Sequence, residues 1–399
     1  MASIERRERP ARDGKVQVTW RVRWRDPAGR QRSRSFNRRV DADRHRSTVA
    51  ADLVRGQYID PDAGKVTFEY YAKTWLAAQT FDAATAEAVA LRLRLQAYPV
   101  LGLRQLREVK PSTIQAWLRG LTGLAPTYQR VIFANVSTIF AAAVDDELLV
   151  KNPCRATSVR KPRADPRKVV PWEQETVRHM RDRLPERYRV VATLAAGLGL
   201  RQGEIFGLSP DDIDFLRGRV EIRRQVKLYG SNRQAFALPK GRKTRTVPLP
   251  DSVRDELAAH LTRYPAQGVT LPWETVSGED VTVPLLLWTR ERSALNRNYF
   301  NTYVWKRALT AAGVSATREN GCHALRHFYA STLLDAGESI KALSEYLGHS
   351  DPGFTLRTYT HLMPSSDERT RRAVDAVLCV PAVYPEGSEE VKSQVGGHI

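Results

Sequence analysis

Residues 155–168, RATSVRKPRADPRK, hold six basic residues, one acid and two prolines, a linker composition. Like charges at that density repel, and proline withholds a backbone donor and interrupts helical periodicity. The chain must therefore be built as separately cored pieces on either side of this stretch. Its 399 residues suffice for roughly two to four domains. A hydrophobic content of 42% supplies their interiors.

Charge is distributed as unevenly as structure. There are 63 Lys plus Arg against 44 Asp plus Glu, a net +19, and the sequence pI is near 10.1. Residues 1–60 alone carry 16 basic and 8 acidic side chains, and the 155–168 stretch adds a local +5. Such a surplus favours a polyanionic partner, nucleic acid ahead of an anionic membrane surface. No uninterrupted apolar run reaches the roughly 18 residues that a membrane span needs. The opening MASIERRERP lacks the apolar core of a signal peptide. Three isolated cysteines, Cys154, Cys322 and Cys379, imply no disulfide framework. These features predict a soluble cytoplasmic protein.

Within the first 60 residues, KVQVTWRVRWRDPAGRQRSRSF alternates strongly. Val16, Val18, Trp20, Val22 and Trp24 form one period-two set, with Arg21, Arg23 and Arg25 opposite. DPAG supplies turn chemistry before a second arginine-rich strand, Arg30 to Phe36, that carries Arg32 and Arg34. DADRHRSTVAADLVRGQ then reads as a short helix. A small sheet with one cationic face and a helix behind it suits a DNA groove; a solvated edge hairpin is the plainer alternative. From Val66 to about Cys154 the spacing becomes helical, in four segments broken by Gly and Pro, and nothing there looks chemical. The basic stretch that follows, with Arg160, Lys161 and Arg163, is suited to tracking phosphates.

Beyond Val169 the pattern mixes helices with short strands. RVEIRRQVKLY, RQAFALPK and RTVPLP read as strands, with KGRK as the turn between the last two. The expected architecture is mainly α with small antiparallel sheets, an α+β chain of several domains. Its parts are an N-terminal β-sheet and helix domain (1–60), a helical domain (66–154), a basic linker (155–168), a mixed α/β domain (169–379) and a polar tail (380–399).

HALRHFYAST, His323 to Thr332, sets the chemical question. His323 and His327 share a helical face at the spacing zinc hydrolases use, yet Arg326 shares that face as well. The zinc motif needs a glutamate beside the first histidine, where this chain has Ala324, and no other cluster offers a third ligand at a recognised spacing. An anion is the better occupant. GLGLRQGEIFGL places Arg201 at the end of an apolar run, where it would be costly to bury unpaired, with Glu204 able to orient charged neighbours. EYLGHSDPGFTLRTYTH adds His349 and Tyr359. Guanidinium forks match the oxygens of a phosphodiester, and a tyrosine hydroxyl can attack phosphorus and keep the bond energy as a phosphotyrosine.

GLGLRQGEIFGL, LPKGRKTRTVPLP, HALRHFYASTLLDAG and LGHSDPGFTLRTYTH, in that order from Gly197 to His361, closely resemble the catalytic boxes of the tyrosine recombinases, the phage-integrase family. The helical segment before them resembles the family's core-site-binding domain. The basic N-terminal sheet resembles, by composition and position, an arm-site-binding domain. The resemblance implies a site-specific recombinase, the integrase of a bacteriophage or integrative element, that cleaves and rejoins DNA without cofactor or metal. Tyr359 would be the nucleophile, forming a 3′-phosphotyrosyl bond. Arg201 and Arg326 would clamp the phosphate. His323 would assist proton transfer and hold the phosphate, and His349 would donate a hydrogen bond to it. Lys240 would protonate the leaving 5′-oxygen, with Lys243 on the same turn as its alternative, and Glu204 would support the site. His327 and His361 are expected to be structural, packing or hydrogen-bonding beside the site, and Cys322 is given no role.

The resemblance also implies DNA attachment sites and a homotetramer assembled on them in a bacterial cell's nucleoid. It leaves room for a host bending factor and an excision factor. The helix SDERTRRAVDAVL after the tyrosine would couple protomers. Two rival classes stand beside this reading. A type IB topoisomerase has no need of an arm-like domain, and a non-catalytic regulator has no need of the catalytic set.

Overall fold

The computed structural model describes residues 2–10, 16–27, 29–55, 58, 63–163, 169–230, 232–349 and 351–359, with single positions between 371 and 378. The chain divides into two compact units, Met1–Arg167 with Tyr229–Ser231, and Lys168–Leu228 with Asn232–Ile399. His361, the tail from 380 onward and most of the segment expected to couple protomers lie outside the described residues. Among the described residues no helix is long and apolar enough to cross a membrane. The mixture of helices and small antiparallel sheets is the α+β class that the sequence predicts.

The first unit opens with an antiparallel sheet of β1 (Ser3–Pro10), β2 (Val16–Arg25) and β3 (Gln31–Phe36), in that order, followed by α1 (Arg39–Val54). Val22 and Trp24 are buried with Ala42 and Val49 of α1, and Trp24 Nε1 donates to the Tyr58 hydroxyl at 2.8 Å. The strand β1 was not anticipated, because its sequence, SIERRERP, has almost no apolar alternation.

The six N-terminal arginines do not share a face. Arg21 pairs with Glu5 and Ser35, and Arg23 with Ser33, so Arg21, Arg23 and Arg25 lie on the side away from Val22 and Trp24. Arg32 and Arg34 pair with Trp24 and Val22, and therefore stand on the helix side. The turn fixes this parity, since a shift of one residue would exchange the faces. Arg32 is held by Asp26 at 3.1 Å and Arg34 lies over the Phe36 ring, while the Arg30 backbone N–H bonds Asp26.

The rest of this unit is a helical domain: α2 (Phe68–Ala77), α3 (83–101, with a π-helical turn at Leu93–Ala97), α4 (Pro111–Gly120) and α5 (Pro126–Asp145). Thr67 and Asp82 cap α2 and α3 through their side chains, and α4 and α5 start on proline. Phe68, Leu93, Leu101, Trp117, Ile132 and Phe140 belong to one core. Arg160, Lys161 and Arg163 follow it as exposed, irregular chain.

The second unit begins with α6 (Gln174–Arg183), α7 (Glu186–Leu198) and the short α8 (Gln202–Phe206). Next come β4 (Ile213–Asp214), β5 (Arg219–Ile222), β6 (Gln225–Tyr229), β7 (Arg233–Ala237) and β8 (Arg245–Pro248). The segment predicted as one strand, RVEIRRQVKLY, is two. β5 joins β4 and β8, and β6 pairs with β7. Arg224 causes the break: its guanidinium turns inward to Asp212, at 2.6 and 3.0 Å, and to the Gly207 carbonyl. Consequently β7 and β8 are not a hairpin, and the KGRK turn that carries Lys240 connects two different sheets.

The remaining elements are α9 (Asp251–Arg263), a β9–β10 ribbon (Gln267–Pro272 with Asp280–Leu285), α10 (297–311), α11 (His323–Asp335), α12 (Ile340–Leu347) and α13 (Pro352–Tyr359). Helix α7 ends on Gly199, at φ +63°, which turns the chain towards Arg201. A β-carbon there would sit 2.4 Å from the Tyr329 ring and 3.1 Å from Leu347. Gly241, at φ +87°, has nothing within 4 Å. Gly199→Ala should therefore add overpacking to left-handed strain, costing about 2–5 kcal/mol. Gly241→Ala should cost only the strain, about 1–2 kcal/mol. Urea unfolding of the two variants measures the gap, and equal losses would mean that the Tyr329 contact is unimportant.

Candidate functional site

Three helices and two loops bring the sequence-predicted residues together. Arg201 occupies the cap position of α8, where its backbone N–H and its Nη1 both donate to Glu204, each at 2.9 Å, and its Nη2 donates to the Gly348 carbonyl at 3.1 Å. Glu204, one turn on, is 1% exposed. Burial alone would raise the Glu204 carboxyl. Arg245 and Arg201, by hydrogen bond and charge, win and hold it down at about 2.

Arg245 is the residue that sequence reasoning missed. Both its terminal nitrogens reach Glu204, at 3.0 and 2.7 Å, and its Nε donates to the Tyr346 carbonyl at 2.7 Å. A signal was present in the sequence. In RTVPLP, Arg245 shares strand parity with Val247 and Leu249, both buried, and an arginine in that register needs a buried acid.

From α11, Arg326 enters the same region with 1% of its surface exposed. Its Nη1 donates to the Gly199 carbonyl and its Nη2 to that of Leu347, both at 2.5 Å. Its Nη2 also lies 3.1 Å from His349 Nε2. Since a guanidinium only donates, His349 Nε2 must accept, and its proton sits on Nδ1, facing the Thr355 hydroxyl at 2.7 Å. Among the described residues, Arg326 Nε is buried with no hydrogen-bond partner. Burial first, then Arg201, pulls its guanidinium down to about 9.

The histidines are disfavoured as cations for the same reasons. Burial, then Arg326, Arg201, Arg245 and Lys240, push His349 down to about 3. His323 is lowered as well, by the protein packed around it and by His327, Arg326 and Arg201, although the residue as a whole is exposed. Tyr359 closes α13 and is 1% exposed; burial pushes its phenol up to about 12, against the Arg326 charge. Its hydroxyl lies 2.7 Å from His327 Nδ1, so His327 does more than pack. Lys240 is exposed, on the β7–β8 connection, and neighbouring Arg242 is turned away to Glu274 at 2.6 Å. Lys243 is exposed on the same turn. Among the described residues no group of three or more His, Cys, Asp or Glu could hold a metal ion. The arrangement gathers positive charge around a phenol, which is what an anionic ester requires.

A model of the phage integrase family matches residues 173–365. The XerC-like tyrosine recombinase of Caldanaerobacter subterraneus subsp. tengcongensis is 32% identical over 57% of this chain and 61% of its own length, so the chain spans under two thirds of that relative. The integrase of Mycobacterium phage D29 is 25% identical over 94% of this chain and 97% of its own. Among solved structures, the Tn1549 transposon integrase in complex with circular intermediate DNA has a TM-score of 0.64 at 17% identity, covering 78% of this chain and all of that one. A lambda integrase tetramer bound to a Holliday junction gives 0.57 at 17% identity, covering 86% and 92%. At such identities the solved structures speak for the fold alone. The matching domain is of the kind carried by tyrosine-type recombinases and integrases such as these relatives. Residues 173–365 carry a domain of the phage integrase family.

The Glu204 network yields a pH-dependent prediction. Arg245→Ala leaves a buried carboxylate with one guanidinium in place of two, and should cost about 3–5 kcal/mol near neutral pH. The Glu204 value is depressed on folding, so its stabilising effect is complete above the unfolded value of about 4.3. It fades as pH falls through about 2. The stability gap between wild type and Arg245→Ala, followed by denaturant titration, should narrow across that window. A gap unchanged down to pH 2 would mean that Arg245 acts by packing.

Proposed function

We propose that this recombinase is the integrase of a bacteriophage or integrative element, with Tyr359 as the nucleophile that leaves a 3′-phosphotyrosyl bond and a free 5′-hydroxyl. The observation that carries the reading is the buried Tyr359 hydroxyl in one cluster with Arg201, His323, Arg326 and His349, on a domain of the phage integrase family. Arg201 and Arg326 clamp the phosphate and offset the charge that builds on its oxygens. Arg326 gives up carbonyl partners to do so, and its unpartnered Nε can then find an acceptor. Once Arg326 turns to the phosphate, His349 Nε2 is released to take a proton and donate to the same group. His323, exposed at the surface of the cluster, holds the phosphate as well. Glu204 and Arg245 orient Arg201. Lys240 delivers the proton that the departing 5′-oxygen needs.

The remaining assignments share this reading. The helical domain at 66–154 binds the core site, and the N-terminal sheet binds arm sites through the open face of Arg21, Arg23 and Arg25. Arg23 is partly answered there by Glu5, at 3.3 Å. Arg30, Arg32 and Arg34 can add only edge contacts. Arg160, Lys161 and Arg163 track phosphates between domains. A homotetramer assembles on DNA in the host cytoplasm, as a lambda integrase tetramer does on a Holliday junction. A host bending factor and an excision factor complete the set of partners.

Two measurements test the chemistry. With a nicked suicide substrate, wild-type protein should be trapped as a slowly migrating adduct on a denaturing gel, and Tyr359→Phe should bind the same DNA without forming it. An adduct in that variant would place the nucleophile elsewhere.

The acid is tested by replacing the bridging 5′-oxygen with sulfur, a leaving group that needs no proton. Lys240→Ala should cut ordinary DNA about 10²-fold or more slowly and the sulfur substrate at nearly the wild-type rate. Arg201→Ala should stay slow on both, because it loses charge stabilisation. Rescue of Lys243→Ala in place of Lys240→Ala would move the acid three residues along the turn.

A further inference from the structure

His323 and His327 stand edge to face with ring centroids 4.9 Å apart, yet their surroundings differ. His327 Nδ1 lies 2.7 Å from the hydroxyl of Tyr359, which comes from a separate helix 32 positions further along the chain. A phenol that becomes a phosphate ester must lose its proton, and one that is 1% exposed has little water to receive it. Among the described residues, His327 Nδ1 is the hydrogen-bond partner of that hydroxyl. We infer that His327 takes the Tyr359 proton in strand cleavage and returns it in rejoining, which leaves His323 to the phosphate.

In cleavage, the Oη–H bond breaks towards Nδ1 as the Oη–P bond forms. The P–O5′ bond then breaks and the 5′-oxygen takes its proton from Lys240. In rejoining, the 5′-hydroxyl returns its proton to Lys240 as it attacks phosphorus, Oη departs, and the His327 imidazolium gives its proton back to Oη. No co-reactant is required. A neutral ring with its proton on Nε2 presents the Nδ1 lone pair to the hydroxyl. Burial, then the Arg326 charge, hold His327 at about 4, so the ring is neutral near pH 7. The titratable groups around it are His323 and Arg326 on its own helix and Tyr359 on α13. A bound phosphodiester offsets the Arg326 charge and makes His327 more basic at the moment it must act.

The inference rests on Tyr359 being the nucleophile, and the test separates the two. Single-turnover adduct formation on the nicked substrate is followed for His327→Asn, whose amide oxygen can accept the phenol's hydrogen bond but cannot take its proton. His327→Ala is followed with and without added imidazole. Gel-shift affinity for the same DNA reports folding. Both variants should bind as wild type does and form adduct about 10²-fold or more slowly. Imidazole should restore part of the rate to His327→Ala only. A wild-type rate in His327→Asn, or a loss in His327→Ala that imidazole leaves in place, overturns the inference. So does loss of DNA affinity by both variants, which is the signature of a packing role. Tyr359→Phe runs alongside: an adduct there sinks the nucleophile assignment itself, whatever the histidine variants do.

Discussion

A guanidinium with almost no contact with water organises the second unit. Removing a charge of this kind from solvent costs several kcal/mol after relaxation, so Arg326 must be met by oriented dipoles. The carbonyls of Gly199 and Leu347 meet it, at the C-terminal ends of α7 and α12, where backbone oxygens lack helical partners and partial negative charge accumulates. Both helices end on left-handed glycines, Gly199 and Gly348, and Gly348 also offers its carbonyl to Arg201. Two helix ends and two arginines are thus fixed by one set of hydrogen bonds, and the positions of His349 and Tyr359 follow from where α12 ends.

The two arginines are stabilised differently. Arg201 has a carboxylate, Glu204, but shares it with Arg245, so that trio carries a net positive charge. Arg326 has carbonyls and an imidazole nitrogen and no direct acid. Breaking a buried ion pair is expensive, whereas turning a guanidinium from a carbonyl to a phosphate exchanges one acceptor for a stronger one. The fold therefore holds Arg201 by an ion pair and Arg326 by carbonyl dipoles, acceptors that a phosphate oxygen outcompetes.

Much of this was legible beforehand. The four boxes, the helical periodicity between 66 and 154, and the alternation that buries Val22 and Trp24 are local patterns, and local patterns survive folding. The misses share a cause, which is that they depend on partners outside the segment's own periodicity. Arg224 breaks a strand because Asp212 lies across the sheet. Arg32 and Arg34 change faces because the length of the preceding turn sets their parity. The spacing of His323 and His327 correctly placed them on one face, but their helix could not reveal that the second imidazole meets a phenol from α13. Arg245 is the intermediate case, since its parity with Val247 was visible and its acid was not.

The electrostatics of the cluster give the site its direction. Arg326, His323, His327 and His349 are all pushed away from their charged forms, by burial and by neighbouring positive charge. Two like charges about 4 Å apart at an effective dielectric of 20 repel by about 4 kcal/mol, so the unliganded protein cannot hold every group protonated. An entering phosphodiester reverses the balance. Its charge favours the cationic form of each neighbour, and linkage requires that favouring the protonated form also tightens anion binding. The suppressed positive charge of the cluster thus favours an anion there. The neutral imidazoles that it leaves poised for protonation are those that proton transfer at phosphorus can use.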